Sequence, residues 1–211
     1  MSNSSLSRKE TQLITRMRLR ESALNAFATK GVHGAGIEHI ARAAGYTRGA
    51  FYANYDSKLD ILIDILSDKQ VQEARLWRDF IVTATDPEKG LTHLASQYDD
   101  RADNIQRARI NVELQLEADR NPNFRAVFET YLDSLYQEIR QFYIALLKRY
   151  GKAAPKHLDS LVVTTRLLGL GLGSTTALGR NLGQTITPTQ IMLDFIHTVI
   201  DGAPTLNNAS K

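Results

Sequence analysis

The sequence predicts an all-α protein of about nine helices, a short helix-turn-helix unit at the N-terminus and a larger helical body behind it. Apolar residues recur at helical spacings of three and four almost from end to end, and no segment alternates convincingly as a strand. Capping residues, glycines and prolines punctuate that periodicity where helices should start and stop. At 211 residues and 43% apolar content the chain can bury a substantial core.

The elements follow in order. Leu19, Ala23, Ala26 and Phe27 fall at i, i+4, i+7 and i+8, and Gly31 supplies a stop, which gives a first helix over about 15–30. Residues 1–14 precede it as a flexible basic arm carrying Arg8 and Lys9. Ile37, Ile40, Ala41 and Ala44 mark a two-turn second helix ended by Gly45. Thr47 opens a third, closing near Asn54, and Leu59, Leu62, Ile63 and Leu66 begin a long fourth helix that runs to about Thr83. Asp86-Pro87 reads as an N-cap with proline in the first helical position. Helices over about 87–102 and 105–118 follow, then a long amphipathic one from Phe124 to Tyr150. Two more, over 156–180 and 188–201, complete the body, and residues 204–211 form a polar tail.

Several functions are excluded early. The chain has no cysteine, so it offers no disulfide framework, thiolate metal site or catalytic thiol. The N-terminal stretch lacks the apolar core of a secretory leader, and the longest uncharged run, Leu167 to Gly179, is broken by glycines and too short to span a bilayer. A cytoplasmic protein without membrane contact is expected. His33, His39, His93, His157 and His197 are scattered, and Asp99, Asp100 and Asp103 flank Arg101 as a solvated face would. The run Gly169 to Ser174 follows no strand and lacks the spacing of a phosphate loop. No metal, cofactor or catalytic constellation is expected.

Charge is unevenly spread. Residues 1–58 hold nine Lys/Arg against four acids, whereas the remainder is slightly acidic, within a net charge of +3. A basic head on a near-neutral body suits a polyanion-binding unit.

The stretch Ala44 to Lys58 gives that head its chemistry. Two short helices joined by Ala44-Gly45-Tyr46 form a helix-turn-helix, with glycine allowing the tight turn. Thr47 and Arg48, at the start of the third helix, are the candidate base readers in a DNA major groove, and Arg48 can donate bidentately to guanine. Gly49 and Ala50 keep the leading face thin, while Phe51 and Tyr55 point inward as anchors. Tyr52 and Lys58 can each take a phosphate, which positions the unit without reading sequence. Arg16, Arg18 and Arg20 alternate, so they cannot share a face.

Residues 15–62 resemble the DNA-binding domain of the TetR (tetracycline-repressor-like) transcriptional regulators. The matching positions are Thr15-Arg16, Ala23 to Phe27, Gly31, Ile40-Ala41, Ala44-Gly45, Thr47-Arg48-Gly49, Tyr52, Tyr55 and Lys58. The resemblance implies that residues 15–60 bind a double-stranded DNA operator and that residues 61–203 bind a small effector and form a homodimer. Arg16 is the arginine kept by this match. Three positions depart from the pattern: Gly36 replaces a capping threonine, Tyr46 a small turn residue, and Asn54 a histidine or aromatic. Asn54 is left either reading a base or sitting on the surface.

For the body, Ile191, Met192, Phe195, Ile196, Val199 and Ile200 make an apolar stripe wider than one core contact requires. Gly169, Gly171, Gly173, Ser174 and Ala177 allow close helix approach, so a four-helix bundle between two copies is expected. Trp77, Tyr98, Asn111, Gln115 and Arg166 are the candidate ligand residues, because polar groups facing a core are costly unless paired. Pairing with one another is the alternative for each. The expected protein is a regulator, most economically a repressor released by a hydrophobic or aromatic effector. The competing possibility is a helical binding or scaffolding protein with a vestigial head.

Overall fold

The computed structural model describes residues 7–96, 101–177 and 186–206, without the side chains of residues 69–70, 101–107 and 175–177. Within these the chain is helical throughout: α1 (Arg8–Gly34), α2 (Ile37–Ala43), α3 (Arg48–Tyr52), α4 (Lys58–Leu66), a π-helical turn (Ser67–Val71), α5 (Gln72–Thr83), α6 (Pro87–Ser96), α7 (Arg101–Arg120), α8 (Pro122–Arg149), α9 (Leu158–Ala177) and α10 (Pro188–Gly202). Ten α-helices appear among the described residues instead of nine, because the expected fourth helix is interrupted. A π-turn at Ser67–Val71 separates α4 from α5. Apolar spacing misses it, since one extra residue in a turn leaves the pattern on either side helical.

Local chemistry sets the boundaries. Helix α1 begins at Arg8, well before residue 15, so the expected flexible arm is helical from that point. Ser7 and Glu10 form a reciprocal capping box, with Glu10 N–H donating to Ser7 Oγ at 3.2 Å and Ser7 N–H to Glu10 Oε2 at 2.7 Å. Its regular part stops at Gly31, whose φ of +68° is one that side-chain-bearing residues rarely adopt. Thr47, Ser57, Asn121 and Thr187 cap α3, α4, α8 and α10 through side-chain oxygens, and proline follows the last two. Asp86 Oδ1 accepts from Glu88 N–H at 3.1 Å and opens α6 as expected.

Two apolar cores form. The first holds Leu19, Phe27, Ile40, Phe51 and Leu62 of the head, and continues without a break into Leu114 of α7 and Phe128 and Leu135 of α8. The boundary expected at residue 60 therefore crosses one continuous core. The second core lies in the body, where Ile81, Leu91, Tyr143, Leu146, Val162, Met192 and Ile200 meet. In the body α5 packs on α8, α7 on α9, and α6 on α10. Helix four is thus one of several links from head to body, with α1 also packed against α7.

Candidate nucleic-acid face and internal cavity

Helix α3 spans only five residues, far too short to persist alone in water. It is held by what it buries: Phe51 and Tyr55 are 0% and 5% exposed, and their rings lie 5.9 Å apart. Gly45, at φ +81°, makes the turn from α2. Thr47 Oγ1 accepts from Ala50 N–H at 3.2 Å, fixing the start of the helix.

With that scaffold buried, Thr47, Arg48, Gly49 and Tyr52 are exposed together, and Ala50 lies half-buried beside them. The Arg48 guanidinium lies along its own helix. It sits 5.4 Å over the Tyr52 ring and donates to the Tyr52 hydroxyl at 3.4 Å. This pair presents a cation and a phenol in one place, at the outward end of the helix.

Arg16, Asn54 and Lys58, the other three residues expected on this face, are committed inside the protein. Arg16 Nη2 donates to Asp64 Oδ2 at 2.8 Å, Nη1 donates to the Asn54 carbonyl at 3.3 Å, and the group stacks 4.5 Å over the Tyr55 ring. Tyr55 also donates to Asp64 Oδ2 at 2.6 Å, so Arg16 braces the anchor of α3 to α4. Arg20, one turn on, pairs with Asp68, whereas Arg18 on the opposite face is exposed. Asn54 Nδ2 turns back to the Ala50 carbonyl at 2.8 Å, which leaves no outward reading group. Lys58 Nζ donates to the carbonyls of Val32 at 2.9 Å and His33 at 3.2 Å, closing the negative end of α1. Gly36 caps α2 without a side-chain bond, as its substitution for threonine implies.

A cavity of about 140 Å³ opens into the body, walled by α5, α6, α7, α8, α9 and α10. Trp77, Asn111 and Arg166 line it as expected. Gln115 does not: it is exposed, because four residues carry it 40° past Asn111, while Leu114 and Ala118 take the buried face of α7. Tyr98 lies outside the described residues. Glu73, on the wall one turn before Trp77, was legible as an acid on the face of Trp77 but was missed. Tyr143 and Thr165 share a hydrogen bond of 2.7 Å at the wall, and Trp77 meets Phe142 edge-on with centroids 6.4 Å apart. No cluster of three or more potential metal ligands occurs among the described residues, and none of their helices is long and apolar enough to cross a membrane.

A short, capped helix presented from a buried anchor, on an all-α body with a cavity, defines a two-part architecture with a helix-turn-helix head. Residues 19–65 match the bacterial regulatory proteins of the tetR family. The transcriptional regulator SrpR of Pseudomonas putida is 43% identical over 56 residues, which is 26% of this chain and 26% of the relative, so the sequence likeness spans about a quarter of each. The fold likeness extends much further. A TetR-family protein from a Rhodococcus species superimposes with a TM-score of 0.70 at 17% identity, covering 89% of this chain and 99% of that one. Thermus thermophilus FadR, a TetR-family repressor solved with lauroyl-CoA, does so with a TM-score of 0.62 at 17% identity, covering 93% and 98%.

Proposed function

We propose that the protein is a ligand-responsive, sequence-specific DNA-binding transcription regulator, most economically a repressor released from a near-palindromic operator. The observation that carries this reading is the face of α3, where Thr47, Arg48 and Tyr52 stand exposed around the bare Gly49-Ala50 surface. Arg48 and Thr47 read bases in the major groove, and Tyr52 takes a phosphate. Residues 15–60 form the reading unit and 61–203 the sensing and pairing body.

The body acts as a homodimer, which brings two such faces to successive turns of DNA, about 34 Å apart. Supporting this, Val163 and Leu167 of α9 are 39% and 57% exposed, and Ile191 and Phe195 of α10 are only half-buried. Two copies of this helix pair bury that surface in a four-helix bundle. The cavity receives the effector, a small hydrophobic or aromatic molecule. SrpR is a transcriptional regulator and the Thermus protein a ligand-bound repressor, both consistent with this role. On this reading the protein works in the cytoplasm and is not an enzyme.

Fluorescence anisotropy tests the proposal, using duplexes from the DNA flanking the gene and a pool selected from random sequence, each against scrambled DNA at two salt concentrations. Saturable binding that discriminates between sequences at both salts is expected. Equal affinity for every sequence after selection refutes the reading.

A further inference from the structure

The cavity wall is mostly apolar, yet it holds an unanswered cation. Arg166 Nη2 is fully buried and has no hydrogen-bond partner, and its guanidinium lies 5.9 Å from the Tyr136 ring. Two other buried side-chain atoms among the described residues share this lack, Asn54 Oδ1 and Glu113 Oε2, and neither residue lines the cavity. A guanidinium cannot shed its charge, so the N–H must find an acceptor or remain a penalty to the fold. The neighbouring polar groups are occupied. Tyr143 and Thr165 bond to each other, and Glu73 and Asn111 each have an interaction of their own.

We infer that the ligand of this cavity is a small hydrophobic monoanion. Its carboxylate accepts from the Arg166 guanidinium, and its ring or short chain fills the apolar chamber against Trp77 and Phe142. This deepens the effector reading and rests on it. Size narrows the class further: about 140 Å³ compares with the roughly 150 Å³ cavity that takes a single benzene. The enclosed part of the chamber therefore suits one six-membered ring. Charge selects the anionic form, because a charge-assisted bond in a water-poor site is stronger than the bond a neutral amide accepts.

Trp77 is the only tryptophan in the chain, so its fluorescence reports on the cavity directly. The full-length protein is titrated at neutral pH with benzoate and phenylacetate, with their neutral amides, and with toluene, following Trp77 emission and heat. At least one acid is expected to bind about tenfold or more tightly than its own amide. Arg166→Met should abolish that gap while leaving amide affinity within about threefold, and Arg166→Lys should retain part of it. Should either variant fail to fold, the acid-to-amide ratio in the unaltered protein decides alone. An amide that binds as well as its acid overturns the anionic class but leaves a neutral effector in place. A gap that survives Arg166→Met also overturns it, because the anion then sits elsewhere. Failure of acids, amides and toluene alike overturns both this inference and the effector reading of the cavity.

Discussion

Lys58 separates two roles that the sequence alone could not. Its position in the family pattern suits a phosphate contact, whereas its Nζ donates to the Val32 and His33 carbonyls at the end of α1. Replacing it with methionine keeps most of the stem and removes the ammonium. Hydrogen bonds to a charged group contribute about 1.5–3 kcal/mol when shielded. Here the side chain is half-buried and water can partly replace it, so a loss of about 1–2 kcal/mol is expected. For a chain of this length that lowers the melting temperature by about 3–6 °C, measured at fixed protein concentration because dimerisation shifts the midpoint. The same variant is then assayed for DNA affinity across a salt series. As a cap, Lys58 contributes nothing to counterion release, and the slope of log affinity against log salt stays unchanged. As a phosphate ligand, present once in each protomer of the dimer, it lowers that slope by about 1.8. A reduced slope with an unchanged melting temperature would refute the capping role.

Arg48→Ala should relax base preference at one position in each half-site at a cost of about 1–3 kcal/mol per half-site, and selection from a random library reads it directly. An unaltered preferred sequence removes Arg48 from the reader's role. Gly31→Ala should destabilise the fold by about 1–3 kcal/mol through its φ of +68°, since the added Cβ would meet nothing closer than Glu113 Oε1 at 3.8 Å. Urea unfolding checks this, and a neutral result would mean that the α1 kink relaxes freely. The Glu88 carboxyl is held below the usual carboxylate range, chiefly by the bond from the Tyr150 hydroxyl and also by His197. A depressed carboxylate contributes stability above its unfolded pKa of about 4.3 and loses it as pH falls through the folded value. The deficit of Tyr150→Phe should therefore be full at neutral pH and shrink below about pH 4.3. A deficit that stays constant with pH would show that the lost bond to Glu88 is not its cause.

What the sequence made legible divides along a physical line. Periodicity and caps found nearly every helix, because both act within one or two turns. The anchors Phe51 and Tyr55 were legible for the same reason: Tyr55 lies past the end of α3, but its N–H still donates to the Phe51 carbonyl at 3.0 Å, so the two keep a helical spacing and share the buried side. Partners distant in sequence were not. Arg16 meets Asp64 across 48 positions and Lys58 meets Val32 across 26, so no local spacing could show that their charges are taken. The π-turn at Ser67–Val71 was hidden because it shifts register without breaking helicity. Gln115 failed on angle: i, i+4 keeps a pair near one face, but 40° suffices to move one member from a cavity to solvent.

The continuous first core changes how ligand and DNA can be coupled. Had helix four been the sole link, an effector could reach the head only by moving that rod. Instead α5, which supplies Glu73, Ala74 and Trp77 to the cavity, joins α4 through the π-turn, and α7, which supplies Asn111, packs on α1 directly. Arg16 and Arg20 of α1 reach Asp64 and Asp68 on either side of the junction where the π-turn begins, fixing the head to the helix just before its register changes. A ligand shifts such an equilibrium only by its differential affinity for the two states. In the proposed mechanism two routes lead from the cavity to the head, one through the π-turn and one through α7. An effector acts, in this mechanism, by bridging Arg166 on α9 to Trp77 on α5, both on the cavity wall.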